Sequence, residues 1–159
     1  MSNIEKYAEL VIKTEERFKG HAYYCSEGVP TIGYGKVVGT KGSPLPNITT
    51  TKEEATKFLR ERIQSIIPQL SKKFPKAWGN CNEAQKAILV SMTYQLGLNG
   101  VSAFTKMWKA LDIKDWTLAY KEMLDSKWAR QTPNRANRHA KQILTGNVDV
   151  YYLTNGEFK

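Results

Sequence analysis

The sequence is poor in the residues from which the most readable sites are built. It has two histidines, His21 and His139, and two cysteines, Cys25 and Cys81, in 159 residues. Neither histidine belongs to an HExxH pattern and no CxxC occurs. The spacings that mark a zinc site are therefore missing, and no metal or other cofactor is expected. Two cysteines with nothing to pair them do not make a disulfide framework, and synthesis in a reducing compartment fits them better. There is no GxGxxG or P-loop; Gly33-Tyr34-Gly35 lacks the rest of either motif. No GxSxG elbow supports a Ser–His–Asp triad, and His21 reads as a loop histidine rather than a base. One charge-free stretch, Ala87 to Thr105, is long enough to be weighed as a membrane span. It contains Gln95, Gly97, Asn99 and Gly100, so a buried helix followed by a turn is the better reading, and no stable membrane insertion is expected. The N-terminal segment carries charges every few residues and no apolar run, unlike a secretory signal peptide.

What is present is globular: 41% hydrophobic and 25% charged residues, which argues against disorder, collagen and coiled coil. At this length one domain can bury a core without a staple. The net charge of +9 predicts an anionic partner. It is unevenly spread: residues 1–30 are net −1, while Ser126 to Gln142 holds five basic residues and no acid. Such a run also describes an ordinary solvated helix face.

Periodicity gives an α+β, mostly helical chain. Ser2 with Glu5 forms a capping box, and Ile4, Tyr7, Val11 and Phe18 follow at helical spacing, so a first helix should stop before Gly20. Residues 21–39, aromatic, β-branched and glycine-rich, read as a small antiparallel hairpin or meander. Residues 40–49 are loop. Thr51 with Glu54 opens the longest helix, with Phe58, Leu59, Ile63, Ile66 and Ile67 as its stripe, and Pro68 should end or kink it. Asn82 with Gln85 caps a strongly apolar helix to about Gln95. Further helices are expected near 103–111, 115–124 and 133–143, the last with Thr132 as N-cap and Pro133 in its first turn. The chain reads as one domain, 1–159: an N-terminal lobe of about 1–50, a connecting helix of about 51–70 and a helical lobe of about 71–159. Two lobes joined by one helix imply a cleft.

With metal, nucleotide and triad chemistry unsupported, carboxylates remain. Glu15 and Glu16 end the first helix, just before the sheet segment. There the negative end of the helix dipole, and burial in a cleft, both favour a protonated acid. Solvated helix-end glutamates would look the same, and periodicity does not choose between the two. Arg135 lies in the first turn after Thr132-Pro133, where a cation opposes the helix dipole at a cost of about 0.3–1 kcal/mol. An arginine held there can be facing a carboxylate elsewhere.

Glu16, eight residues, Cys25, five residues, Thr31 and then Ile32-Gly33-Tyr34-Gly35 resembles the active-site pattern of the phage-type lysozymes, the endolysins, a glycoside hydrolase family. Thr51-Lys52-Glu53-Glu54-Ala55, Tyr94-Gln95-Leu96-Gly97, Phe104-Thr105, Ser126-Lys127-Trp128 and Gln131-Thr132-Pro133-Asn134-Arg135 match in order, so the resemblance runs from about residue 4 to 146. It selects Glu16 over Glu15 and implies a lysozyme-like, two-lobed fold. It implies hydrolysis of the β-1,4 bond between N-acetylmuramic acid and N-acetylglucosamine in bacterial peptidoglycan. Glu16 would be the general acid and Thr31 would position water. Arg135 would orient Glu16 as a loosely held partner, since a close cation favours the charged form. Tyr94 and Gln95 would line the sugar groove.

Two departures alter these expectations. The commoner residue at position 25 is Asp; Cys25 could help Thr31 place water for inversion, or act as a thiolate nucleophile with retention. Lys36 stands where the family often has His. A monomer is expected, made in the host cytoplasm and reaching the wall after holin-type release. The rival readings are a wall-binding relative without catalysis and a basic nucleic-acid binder. No nucleic-acid-binding signature supports the latter, and no nucleic-acid partner is expected. The positive charge then reads as attraction to an anionic wall.

Overall fold

The computed structural model describes residues 1–156. The last three residues of the expected helical lobe, 157–159, lie outside the described residues. The first helix, α1 (Asn3–Glu16), starts where Ser2 Oγ accepts the Glu5 N–H at 3.2 Å. Only half of the expected box forms, because the Glu5 carboxylate accepts from the Ser2 hydroxyl instead. Ala8, Val11 and Ile12 are wholly buried on one face of α1, which packs on the later helices α2 (Lys52–Lys73), α4 (Glu83–Ser102) and α9 (Val150–Asn155). The helix stops at Glu16 because Arg17 takes φ +59°, a turn that redirects the chain into the sheet.

Three strands follow as an antiparallel meander: β1 (Lys19–Tyr24), β2 (Pro30–Gly33) and β3 (Lys36–Val37). Tyr23 pairs with Thr31 and Ile32 with Lys36, while β1 bulges between Lys19 and Tyr23. His21 lies on this strand, exposed and bridged to Thr49, rather than in a loop. Residues 40–49 carry no helix and no named strand, as their prolines and glycine predict.

The helix α2 opens with the full Thr51/Glu54 box. Leu59, Ile63, Ile66 and Leu70 form its buried face, and Phe58 and Ile67 flank it half-buried. Pro68 does not end it. Pro68 removes one N–H, but both Pro68 and Gln64, whose carbonyl loses that donor, are exposed to water. The buried Ile66 and Leu70 on either side hold the helix through the gap.

After α3 (Pro75–Asn80), α4 starts on the Asn82/Gln85 box and forms the centre of the core. Ile88, Leu89, Val90, Ser91 and Met92 are all wholly buried, so α4 is covered on every side. Gly97 breaks it with φ +77°, giving the turn expected inside the charge-free stretch. The helices α5 (Thr105–Asp112), α6 (Trp116–Leu124), α7 (Lys127–Gln131), α8 (Pro133–Thr145) and α9 complete the body. Thr132 precedes α8 in the N-cap position, but its hydroxyl donates to Trp128 O and closes α7 instead. Among the described residues no helix is long and apolar enough to cross a membrane.

Leu89→Ala tests the central place of α4. Removing this unexposed side chain should cost about 2–5 kcal/mol, read by urea unfolding as a lower midpoint at unchanged slope.

Candidate active site

Successive residues on a helix point about 100° apart, and the end of α1 uses that divergence to give its two glutamates different surroundings. Glu15 turns inward, with its side chain 4% exposed. Its carboxylate accepts Arg138 Nε at 3.0 Å and Nη2 at 2.7 Å, and the Tyr152 hydroxyl donates to the same Oε2. Burial and the charge of Glu15 hold the Tyr152 phenol far above its usual range, so it keeps the proton that it donates to Glu15. Arg138 also lies over the Tyr151 ring at 4.1 Å.

Glu16 points the other way, 19% exposed, toward the turn between β2 and β3. Oε1 accepts Arg135 Nη1 at 2.8 Å, and among the described residues no hydrogen bond reaches Oε2. Oε2 lies instead against Gly35, where an added Cβ would stand 2.7 Å away. Gly35 also holds φ +81°, so the position needs glycine both for its backbone and for the carboxylate beside it. Arg135, 8% exposed, is in direct contact with Glu16 rather than loosely held as the sequence suggested. Both groups are mostly out of water, and a buried charge requires a close partner.

Of the other residues singled out in the sequence, Tyr94 feels the charge of this carboxylate. Burial, then the charges of Glu16 and Cys25, raise Tyr23, and burial, then Glu16, raise Tyr94. The Tyr94 hydroxyl donates to the Tyr34 carbonyl, bracing the sheet turn against α4. Gln95 Oε1 accepts the Trp128 indole N–H at 2.8 Å.

Cys25 follows β1, half-buried and unpaired with Cys81, whose burial raises its thiol to about 12. The Cys25 N–H donates to Val29 O at 3.0 Å, and the buried Thr31 hydroxyl donates to the same carbonyl at 2.8 Å. One carbonyl thus fixes the Cys25 backbone and the Thr31 side chain together. With its proton on Val29, Thr31 Oγ1 can only accept, so a water held there would donate to it and keep a lone pair free.

Two hollows flank the sheet, one of about 470 Å³ between β2, β3 and α2 and one of about 280 Å³ beside Arg17 and Phe18. Tyr34 lines both; Glu16 lines neither. No group of three His, Cys, Asp or Glu able to hold a metal occurs among the described residues. Sequence reasoning missed Gly35 as a neighbour of Glu16, and Ser91, Arg138, His139 and Tyr152 behind it. One signal was available: Arg135, Arg138 and His139 fall at i, i+3 and i+4, on one face of α8.

Gly35→Ala should therefore harm activity more than its backbone strain harms the fold. We expect at least about a tenfold loss of lytic rate alongside about 1–2 kcal/mol of destabilisation, measured by turbidity and urea unfolding.

Residues 13–145 match the Phage lysozyme family profile. The chain is 33% identical over 162 residues to the pre-baseplate central spike protein Gp5 of Enterobacteria phage T4, covering 89% of this chain but only 28% of that protein. It is 29% identical over 167 residues to the probable T4-type lysozyme 1 of Dictyostelium discoideum, covering 89% of this chain and 95% of that one. The endolysin of Salmonella phage P22 is 27% identical over 126 residues, 77% of this chain and 82% of that protein. With the matched segment running from the end of α1 to the end of α8, the chain belongs to the phage lysozyme family, a family of glycoside hydrolases.

Proposed function

We propose that this protein hydrolyses the β-1,4 bond between N-acetylmuramic acid and N-acetylglucosamine in bacterial peptidoglycan, with Glu16 as general acid. The observation that carries this reading is the contrast between the neighbouring glutamates. Glu15 is saturated by Arg138 and Tyr152, whereas Glu16 keeps one carboxylate oxygen without a donor among the described residues, beside the β2–β3 turn. In the proposed step the Glu16 proton passes to the glycosidic oxygen as the bond to C1 breaks. A water placed by Cys25 and donating to Thr31 Oγ1 attacks C1 from the opposite face and gives up its proton to solvent, inverting the anomeric configuration. The positive excess draws the enzyme, acting as a monomer released from the host cytoplasm, to an anionic wall.

A second version rests on the free, half-buried Cys25 thiol. Its thiolate would attack C1, form a glycosyl–sulfur bond and release it to water, with retention.

Clearing of chloroform-treated Gram-negative cells by wild type and by Glu16→Gln tests the reading. We expect a rate loss of about a hundredfold or more in the variant. Equal clearing by both would remove Glu16 from the mechanism; no clearing by either would leave a wall-binding protein. Proton NMR of the first-formed product separates the two versions: an α anomer is expected, and a β anomer would assign Cys25 as nucleophile.

A further inference from the structure

Behind Arg135 lies a hydrogen-bonded chain that the proposed reaction does not itself require. Arg135 Nη2 contacts Ser91 Oγ at 3.1 Å, Ser91 Oγ contacts His139 Nε2 at 2.7 Å, His139 Nδ1 contacts the Tyr152 hydroxyl at 2.8 Å, and Tyr152 contacts Glu15 Oε2. Ser91, His139 and Tyr152 are each wholly buried. Four separate helices, α4, α8, α9 and α1, supply its members.

The direction of every proton follows from the two ends. Arginine has only donors, so Ser91 accepts from Arg135. The Glu15 carboxylate, held by both Arg138 nitrogens, is an acceptor, so Tyr152 donates its single proton to it. The Tyr152 oxygen must then accept, and His139 Nδ1 carries a proton. Burial, with Arg135 and Arg138 nearby, holds His139 well below its usual range and therefore neutral. Its Nε2 is bare and takes the Ser91 proton. No member is left with two donors or two acceptors facing each other.

A second observation shows that this arrangement governs Ser91. Thr14, Thr93 and Ser102 each turn their hydroxyl onto the carbonyl four residues back in their own helix, the usual recourse of a hydroxyl there. Ser91 donates across to His139 and so leaves its oxygen facing Arg135. The guanidinium depends on that contact: among the described residues its buried Nε has no partner and its two other nitrogens rest on Glu16 and Ser91 alone.

We propose that Ser91, His139 and Tyr152 are positioning residues, a one-way chain that holds the Arg135 guanidinium in register against Glu16 and links the acid to the docking of α9. The chain is not a proton wire, since Arg135 offers no acceptor through which a proton could pass. The inference rests on Glu16 being the acid.

Its test has one arm that reads the chain and one that reads its use. Nitrogen-15 NMR of the histidine-labelled protein should show His139 as the neutral Nδ1–H tautomer, unchanged from about pH 5 to 8. On a soluble oligosaccharide, Tyr152→Phe should lower kcat about three- to tenfold with KM little changed, as a small misplacement of an orienting group does. In a Ser91→Ala background, where the chain is already cut, the same substitution should lower kcat no further. Unfolding midpoints taken on each variant keep folding losses apart from kinetic ones. A His139 carrying its proton on Nε2, or equal fractional losses of kcat in both backgrounds, would overturn the chain as a positioning device. Full activity in Glu16→Gln would overturn the acid and the catalytic use of the chain together, which the tautomer measurement distinguishes from failure of the chain alone.

Discussion

The structure depends on how the end of α1 is joined to α8. Two adjacent glutamates meet two arginines three residues apart, Glu16 with Arg135 and Glu15 with Arg138. Each carboxylate is mostly buried, and a buried charge deprived of its partner costs about 3–5 kcal/mol. Neither pair can be dissolved without penalty, so α1 is committed to the helical body although the chain leaves it directly for the sheet. Everything that approaches Glu16 from the sheet does so against a carboxylate fixed from behind.

That commitment also explains why two identical side chains differ so sharply in chemical character. Both belong to one helical turn and both face an arginine. Glu15 receives three further constraints: a second guanidinium nitrogen, a phenol and almost complete exclusion of water. Glu16 receives one guanidinium nitrogen and a glycine backbone. The difference is produced by neighbours drawn from α8, α9 and the β2–β3 turn, which lie far away in sequence.

Legibility followed the range of the interaction. The capping residues Ser2, Thr51 and Asn82 marked helix starts because each acts within four residues. Pro68 did not end α2, because packing on both sides, through Ile66 and Leu70, carries the helix past it. Thr132 and Pro133 marked the start of α8 correctly, although the Thr132 hydroxyl turns to a nearer acceptor in the preceding turn. The short helices α3, α7 and α9 carry too few residues for a period to show. At the site, the spacing of Glu16, Cys25 and Thr31 was visible and so was the oddity of Arg135. The contact distance between Arg135 and Glu16 was not, because it depends on how much water each residue loses. Ser91 and Tyr152 gave no local sign: a lone serine in an apolar helix and a tyrosine near the C-terminus acquire meaning only when His139 lies between them.

The shared acceptor at Val29 has a mechanical consequence. Cys25 and Thr31 hang from one carbonyl, and the turn beyond them is fastened to α4 through the Tyr94–Tyr34 bond. Any shift of the Val29 carbonyl is passed to both at once, to the cysteine through its backbone and to the threonine through its side chain. The two side chains therefore keep one spacing however the strands around them are displaced.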